Sequence, residues 1–359
     1  MKDLHYNIDR LMCEDAQISI SYGERSNGKS YQLKHKVMLT PSVLEGDERF
    51  MLIRRSKNEI TTEKIERYFN DCDIERLTDG KYNCISVWRR ELFLSVYDSK
   101  KAKMTRYKKI GYVVPLEDEQ YYAGASFLDV PNMIFEEFMS RKTYLPQEPS
   151  KLMNLYCTVD RKRGSTKLWL CGNTISRVCP YLTDWELMDL MRSQKQGDIK
   201  TKLFDVGENQ FVKLAVEYCE STGRTSYVIG AHSDMMTSGV WQSDPQPHLP
   251  KSLKCYSVVF SCVFRYKQFT FLARYLTDNE TGEGVWFICD KYNRIQPGTF
   301  IFSDEITPDR HSFRDPYHVH TRNESVLRIL DTFTEDRIFY STDLCGTDFK
   351  QSIDFIIKR

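Results

Sequence analysis

Gly23-Glu24-Arg25-Ser26-Asn27-Gly28-Lys29-Ser30 satisfies the pattern G-x-x-x-x-G-K-[ST] at every specified position. Before it, Gln17-Ile18-Ser19-Ile20-Ser21-Tyr22 alternates as a strand does. After it, Tyr31 to Thr40 is helix-compatible until Pro41 stops it. A strand, a glycine loop and a helix form the frame this chemistry needs. Loop amides and the helix N-terminus surround a β-phosphate, and Gly28 permits its close approach. Lys29 reaches the β/γ-oxygens as a point charge, while the Ser30 hydroxyl ligates Mg2+. Gly23, Glu24, Arg25, Ser26, Asn27, Gly28, Lys29, Ser30 and Tyr31 are therefore the candidate nucleotide-binding segment, with ATP and Mg2+ as the expected cofactors.

Such a loop needs an acid at the end of an apolar strand. Met133-Ile134-Phe135 runs straight into Glu136-Glu137, about a hundred residues downstream. In the additional-strand class of P-loop NTPases the first acid serves the metal and the second polarises the attacking water. Glu136 is assigned to Mg2+ on that ground, and Glu137 to the base role. A third apolar strand, Lys167–Cys171, ends in Gly172-Asn173-Thr174, where Asn173 is placed to sense a γ-phosphate. A fourth, Arg49–Ile53, ends in Arg54-Arg55. Thr61–Asp71 reads as a helix with Ile65, Tyr68 and Phe69 on one face, and Leu152–Arg161 as another.

The rest of the chain bounds the answer. Its 359 residues are 41% hydrophobic and 28% charged, which excludes disorder and fibrous classes and suits two domains. The formal net charge is +1, so nucleic acid would have to be met by a local patch. One exists: Ser99 to Lys109 carries Lys100, Lys101, Lys103, Arg106, Lys108 and Lys109 without an acid, between strands expected at Glu91–Tyr97 and Ile110–Leu116. The longest apolar run, Cys255–Phe264, is far short of the ~20 residues a bilayer demands. With no secretory core at the N-terminus, the expectation is a protein that is neither exported nor membrane-bound. The eleven cysteines are odd in number and lack C-x-x-C spacing, as reduced thiols would. We expect an α/β P-loop ATPase domain over 1–205, a linker or hinge over 206–250, and a smaller α+β domain over 251–359. In the last, strands fall at Val258–Phe264, Phe269–Leu276 and Gly284–Cys289, and helices near Asn323–Phe333 and Phe349–Lys358.

The strings GERSNGKSY (23–31), FMLIRR (50–55), RYFND (67–71), PNMIFEEF (131–138), LMNLYCTVDR (152–161) and LCGNTISRVCPYL (170–182) together resemble the DNA encapsidation ATPase of phi-29-like tailed phages. The resemblance covers most of residues 10–185. It implies an additional-strand, RecA/terminase-like ATPase working as a homomeric ring, expected to be pentameric, at the portal vertex of a procapsid in the host cytoplasm. Double-stranded DNA would be the cargo, and some relatives add a structural RNA. Arg25 matches a family arginine near the phosphates. Arg54 and Arg55 match a pair of which at least one should touch nucleotide or a neighbouring subunit. Arg161, with Arg163 and Lys167 as understudies, matches the arginine finger acting in trans. The C-terminal domain would be a degenerate RNase H-like fold without cutting; Asp290 follows an apolar strand but lacks companions. Asp304, Glu305, Asp309, His311, Asp315, His318 and His320 read as a polar loop rather than a metal site. Two departures stand out: the family has Asp where Glu136 stands, and a lysine it carries before the acidic strand has no counterpart in Gln120-Tyr121-Tyr122-Ala123. The competing functions are a P-loop kinase and a nucleotide-gated structural subunit with little turnover.

Overall fold

Fifteen strands arranged in two sheets make up the β-structure of the protein in a computed structural model, which describes residues 6–140, 144–208, 210–222, 241, 243–291, 295–305, 311–314, 322–334 and 337–357. The chain divides into two units. The first holds the nine-stranded sheet; the second holds the six-stranded sheet and takes in the short segment Ser176–Val178.

In the first unit the strands are β1 (Ile18–Gly23), β2 (Phe50–Arg54), β3 (Cys84–Trp88), β4 (Glu91–Asp98), β5 (Lys103–Pro115), β6 (Asn132–Glu136), β7 (Lys167–Asn173), β8 (Ile199–Asp205) and β9 (Phe211–Tyr218). They form one sheet in the order β3-β4-β5-β2-β6-β7-β1-β9-β8. From β5 to β9 every neighbouring pair is parallel. Parallel strands are covered on both faces, which is why β1 is buried at all six positions and Phe50–Ile53 and Met133–Phe135 are unbroken apolar runs. β7 lies between the glycine-loop strand β1 and the acidic strand β6, which is the additional-strand order expected from the sequence. Gly23 pairs with Asn173, and Glu136 with Cys171, so the three functional strand ends meet at one edge. Open parallel sheets bind their ligands there.

The structure departs from the sequence reading in several places, the C-terminal helix among them, which begins at Asp343 and not at Phe349. The helix after the loop is α-helical only over Lys29–Leu33 and continues as a π-helix over Lys34–Met38. β9 pairs with β1, so the stretch just past residue 205 belongs to the first sheet and is not a linker. β5 begins at Lys103, so the cationic run is a tight turn followed by strand and not a loop. The helix expected from Leu152 begins at Glu148 and ends at Asp160.

The second unit contains β10 (Tyr256–Tyr266), β11 (Phe269–Asp278), β12 (Gly284–Cys289), β13 (Phe300–Ser303), β14 (Ser312–Phe313) and β15 (Ile338–Tyr340), ordered β14-β13-β10-β11-β12-β15. β10, β11 and β12 are antiparallel, and β13 and β14 extend them in parallel. Phe349, on the helix Asp343–Ile357, packs edge-on against Phe264 and Phe271 at 5.2 and 5.4 Å between ring centres. No helix among the described residues is long and apolar enough to cross a membrane.

Candidate nucleotide site

The glycine loop turns on two left-handed residues, Ser26 (φ +63°) and Gly28 (φ +102°). At Gly28 a side chain would strain the turn that brings the loop back onto its helix. Lys29 is 4% exposed, and its ammonium is held by the Glu24 carbonyl and by Asn27 Oδ1 at 2.9 Å. The ammonium is thus fixed inside the loop rather than extended into solvent.

Across the sheet edge, Ser30 Oγ donates to Glu136 Oε2 at 2.9 Å, joining residues 106 apart in sequence. Tyr68 donates its hydroxyl to the other oxygen, Oε1, at 2.8 Å. Burial and then the neighbouring Glu136 carboxylate push the Tyr68 phenol well above its usual range, so it stays a donor. Tyr68 is fixed in turn: Lys34 donates to its carbonyl at 2.9 Å and pairs with Asp71, and Arg54 stacks over its ring. A hydroxyl and a carboxylate 2.9 Å apart are the hard oxygen donors that Mg2+ takes, so the residues present fit that ion.

Glu137 follows the strand in a left-handed conformation, φ +57°, and is exposed. Its carbonyl accepts from Arg55 Nη1 at 3.3 Å, and that of Phe138 accepts from Nη2 at 2.8 Å. Arg55 Nε is paired to fully buried Glu148 at 2.9 Å, and Glu148 also accepts from Tyr181 and the Leu145 amide. The sharp turn needs glycine opposite: a Cβ on Gly172 would sit 2.8 Å from Phe138 Cε1.

Arg25 through Tyr31, with Glu136, Glu137, Cys171, Gly172 and Asn173, line one pocket of about 300 Å3. The predicted loop, acid pair and sensor therefore converge. The other sequence candidates do not line it. Gly23 ends β1, while Glu24 turns its carboxylate to the Thr222 amide and hydroxyl at 2.7 and 2.8 Å. Arg54 lies over Tyr68, and Arg55 is buried with Glu148. Arg55 therefore meets the pocket wall through the main-chain carbonyls of Glu137 and Phe138. Arg161 is exposed, left-handed at φ +49°, and donates to the carbonyls of Gly124 and Ala125 at 3.1 and 2.8 Å. Arg163 binds the Leu128 carbonyl and Lys167 pairs with Asp15.

The sequence reading missed Tyr68 as a partner of Glu136, the Arg55–Glu148 pair and the Glu24–Thr222 tie. Tyr68 carried a signal, since it lies in RYFND; nothing in the sequence marked Glu148.

Of the cationic run, Lys100, Lys101, Lys103 and Arg106 are exposed. Lys108 donates to the Leu44 carbonyl and Lys109 pairs with Glu91, so these two serve the fold. In the second unit Asp304 is buried and paired with Lys267, whereas Asp309, Asp315, His318 and His320 lie outside the described residues. Among the described residues no three metal-binding side chains converge.

Residues 1–271 match the model of the podovirus DNA encapsidation protein (Gp16) family. The DNA packaging protein of Bacillus phage phi29 is 26% identical over 272 residues, spanning 73% of this chain and 74% of its own. That of Bacillus phage B103 is 27% identical over 187 residues, 50% of each. Among solved structures, a chain of the bacteriophage Phi-29 viral genome packaging motor assembly superposes with a TM-score of 0.58 at 20% identity, over 99% of this chain and 100% of that one. At that identity the likeness is one of fold.

Proposed function

The chain belongs to the podovirus DNA encapsidation protein family, and on that premise we propose that its P-loop hydrolyses ATP to drive double-stranded DNA into a procapsid. The bond between Ser30 and Glu136 carries this reading, because it brings the two halves of a split active site into contact.

The residues divide the work. Loop amides and Lys29 grip the triphosphate and offset charge that builds on the β/γ-oxygens. Ser30 and Glu136 hold Mg2+, which when bound neutralises phosphate charge. Glu137, which lines the same pocket, turns the attacking water toward the γ-phosphorus and accepts its proton. Asn173, at the tip of β7, contacts the γ-phosphate or that water. Arg161 acts in a neighbouring subunit's site as the finger that stabilises the transition state, so turnover is coupled around a homomeric, pentameric ring seated on the procapsid portal in the host cytoplasm. The exposed cations Lys100, Lys101, Lys103 and Arg106 meet DNA phosphates without reading sequence.

The test is the steady-state ATPase rate, with and without double-stranded DNA, for wild type, Lys29→Ala and Glu137→Gln. Stimulation by DNA in the wild type, with turnover lost in both variants and ATP still bound by Glu137→Gln, is the expected result. Turnover that ignores DNA but responds to a small phosphate acceptor would make the chain a kinase and overturn the motor reading.

A further inference from the structure

A second, larger cavity of about 670 Å3 opens in the first unit and shares no residue with the P-loop pocket. Its volume is that of a small-molecule site. Tyr112, Tyr121, Tyr122 and Phe127 make up its aromatic lining; Lys57, Arg89 and Arg90 make up its cationic lining, beside the acids Glu91 and Asp118.

The aromatic lining is a set of edge-to-face rings, with Tyr112 against Phe127 at 5.1 Å and Tyr121 against Tyr122 at 5.4 Å. Tyr121 is 82% exposed, which leaves a large ring face to solvent at the mouth of a cavity. The cationic lining is built at a cost. Trp88 and Glu91 close the β3–β4 hairpin, and its two-residue turn is Arg89-Arg90, with φ +50° and +65°. Turns of that geometry favour Asn-Gly because side chains resist positive φ. Two arginines are held there against that preference, and strain of this kind collects at functional sites.

The cations are also arranged for use. Asp118 holds Lys57 at 2.8 Å and Arg90 at 3.1 Å, one on each carboxylate oxygen, and Tyr122 accepts from Arg90 at 3.2 Å. Arg89 stacks over the exposed Trp88 ring at 4.5 Å and has no acid partner among the described residues. Rings that stack a flat heterocycle, beside guanidinium and ammonium groups that grip an oxyanion, are the two halves of nucleotide recognition.

We infer that this cavity is a second nucleotide site, taking a base between its aromatic lining and Arg89 and a phosphate on Lys57, Arg89 and Arg90. The nucleotide comes either free or as an unpaired residue of a single strand.

The two sources are separated in the full-length Lys29→Ala protein, whose P-loop is disabled. AMP is titrated by calorimetry, and a labelled twelve-residue oligothymidylate is followed by fluorescence anisotropy. At least one probe binds, and Arg89→Ala and Tyr121→Ala, both at exposed positions, each weaken that binding about tenfold. Binding of AMP identifies the free nucleotide as ligand; binding of the oligonucleotide alone identifies the strand. If neither probe binds, or if both substitutions leave the affinity unchanged, the site does not exist. The P-loop reading rests on a different comparison, ATP turnover of wild type against Lys29→Ala, so the two fail separately.

Discussion

Arg55 reaches from the end of β2 to donate a hydrogen bond to the main-chain carbonyl of Glu137, 3.3 Å away. The same guanidinium grips Phe138 and the fully buried Glu148, so one side chain pins the left-handed turn that carries the proposed base. Removing Glu148 leaves a buried cation unpaired, and Glu148→Ala should cost about 3–5 kcal/mol in urea unfolding. Arg55→Lys keeps the charge but loses the fork that spans carboxylate and carbonyls. Its expected signature is a fall in kcat with ATP affinity retained, because the P-loop pocket is intact while the Glu137 turn is loosened. An unchanged kcat would show that Glu137 is placed without Arg55.

Tyr68 makes a second claim of this kind. Its hydroxyl is one of two donors that orient Glu136, and Ser30 is the other. Tyr68→Phe removes the donor and little volume. Partners of a metal ligand typically govern affinity by an order of magnitude or more, so the Mg2+ concentration for half-maximal hydrolysis should rise about tenfold. Nucleotide binding measured without Mg2+ should stay as in the wild type. A magnesium titration that matches wild type would reduce Tyr68 to a packing residue.

What the sequence made legible was the part that repeats local rules. The glycine loop, the buried parallel strands and the acids at their ends all follow from short patterns, and the structure assembles them into one pocket. What it hid depends on partners far along the chain. The resemblance marks Arg54 and Arg55 as contacts to nucleotide or a neighbouring subunit, and nothing in it announces that Glu148, 93 residues away, buries Arg55 in an ion pair. β9 looked like the start of a linker because the half-exposed β8–β9 hairpin has a mixed composition, and only its pairing with β1 places it in the sheet. Lys103 to Lys109 looked like a loop because charge density suggested solvent, yet the segment pairs with β4 as a strand while its cations stay exposed or half-buried.

In the second unit His248 offers a pH test. Its two ring nitrogens lie 2.9 Å from the Tyr340 carbonyl and 2.9 Å from Asp343 Oδ1. Only the imidazolium can donate to both. The Tyr340 carbonyl first, and Asp343 with it, raise the folded-state pKa of His248 against the opposing effect of burial. A raised pKa means the contribution is complete below the unfolded value of about 6.5 and fades as pH climbs through the folded one. The site is half exposed, so the effect stays under about 1 kcal/mol. Urea midpoints of the full chain should therefore fall more between pH 6 and pH 9 in wild type than in His248→Gln. Parallel declines would exclude the histidine as the cause.

The cationic hairpin sorts its residues by exposure, and that sorting predicts which of them serve DNA. Lys100, Lys101 and Lys103 stand in solvent at the β4–β5 turn, with Lys101 at most a distant partner of Asp98 at 3.9 Å. Reversing all three to Glu should abolish DNA stimulation and leave basal hydrolysis intact, since no nucleotide contact is lost. Each cation that had met a phosphate also contributes roughly 0.9 to the slope of log affinity against log salt, so the variant's slope should be shallower by up to about 2.7. Lys109→Ala should behave differently. That ammonium is half-buried on Glu91 and the Tyr112 ring at 4.1 Å, so its loss should lower the unfolding midpoint and spare the salt slope. Stimulation that survives the triple reversal would move the DNA path away from this hairpin. A salt slope changed by Lys109→Ala as much as by the tip would mean that exposure does not sort these cations at all.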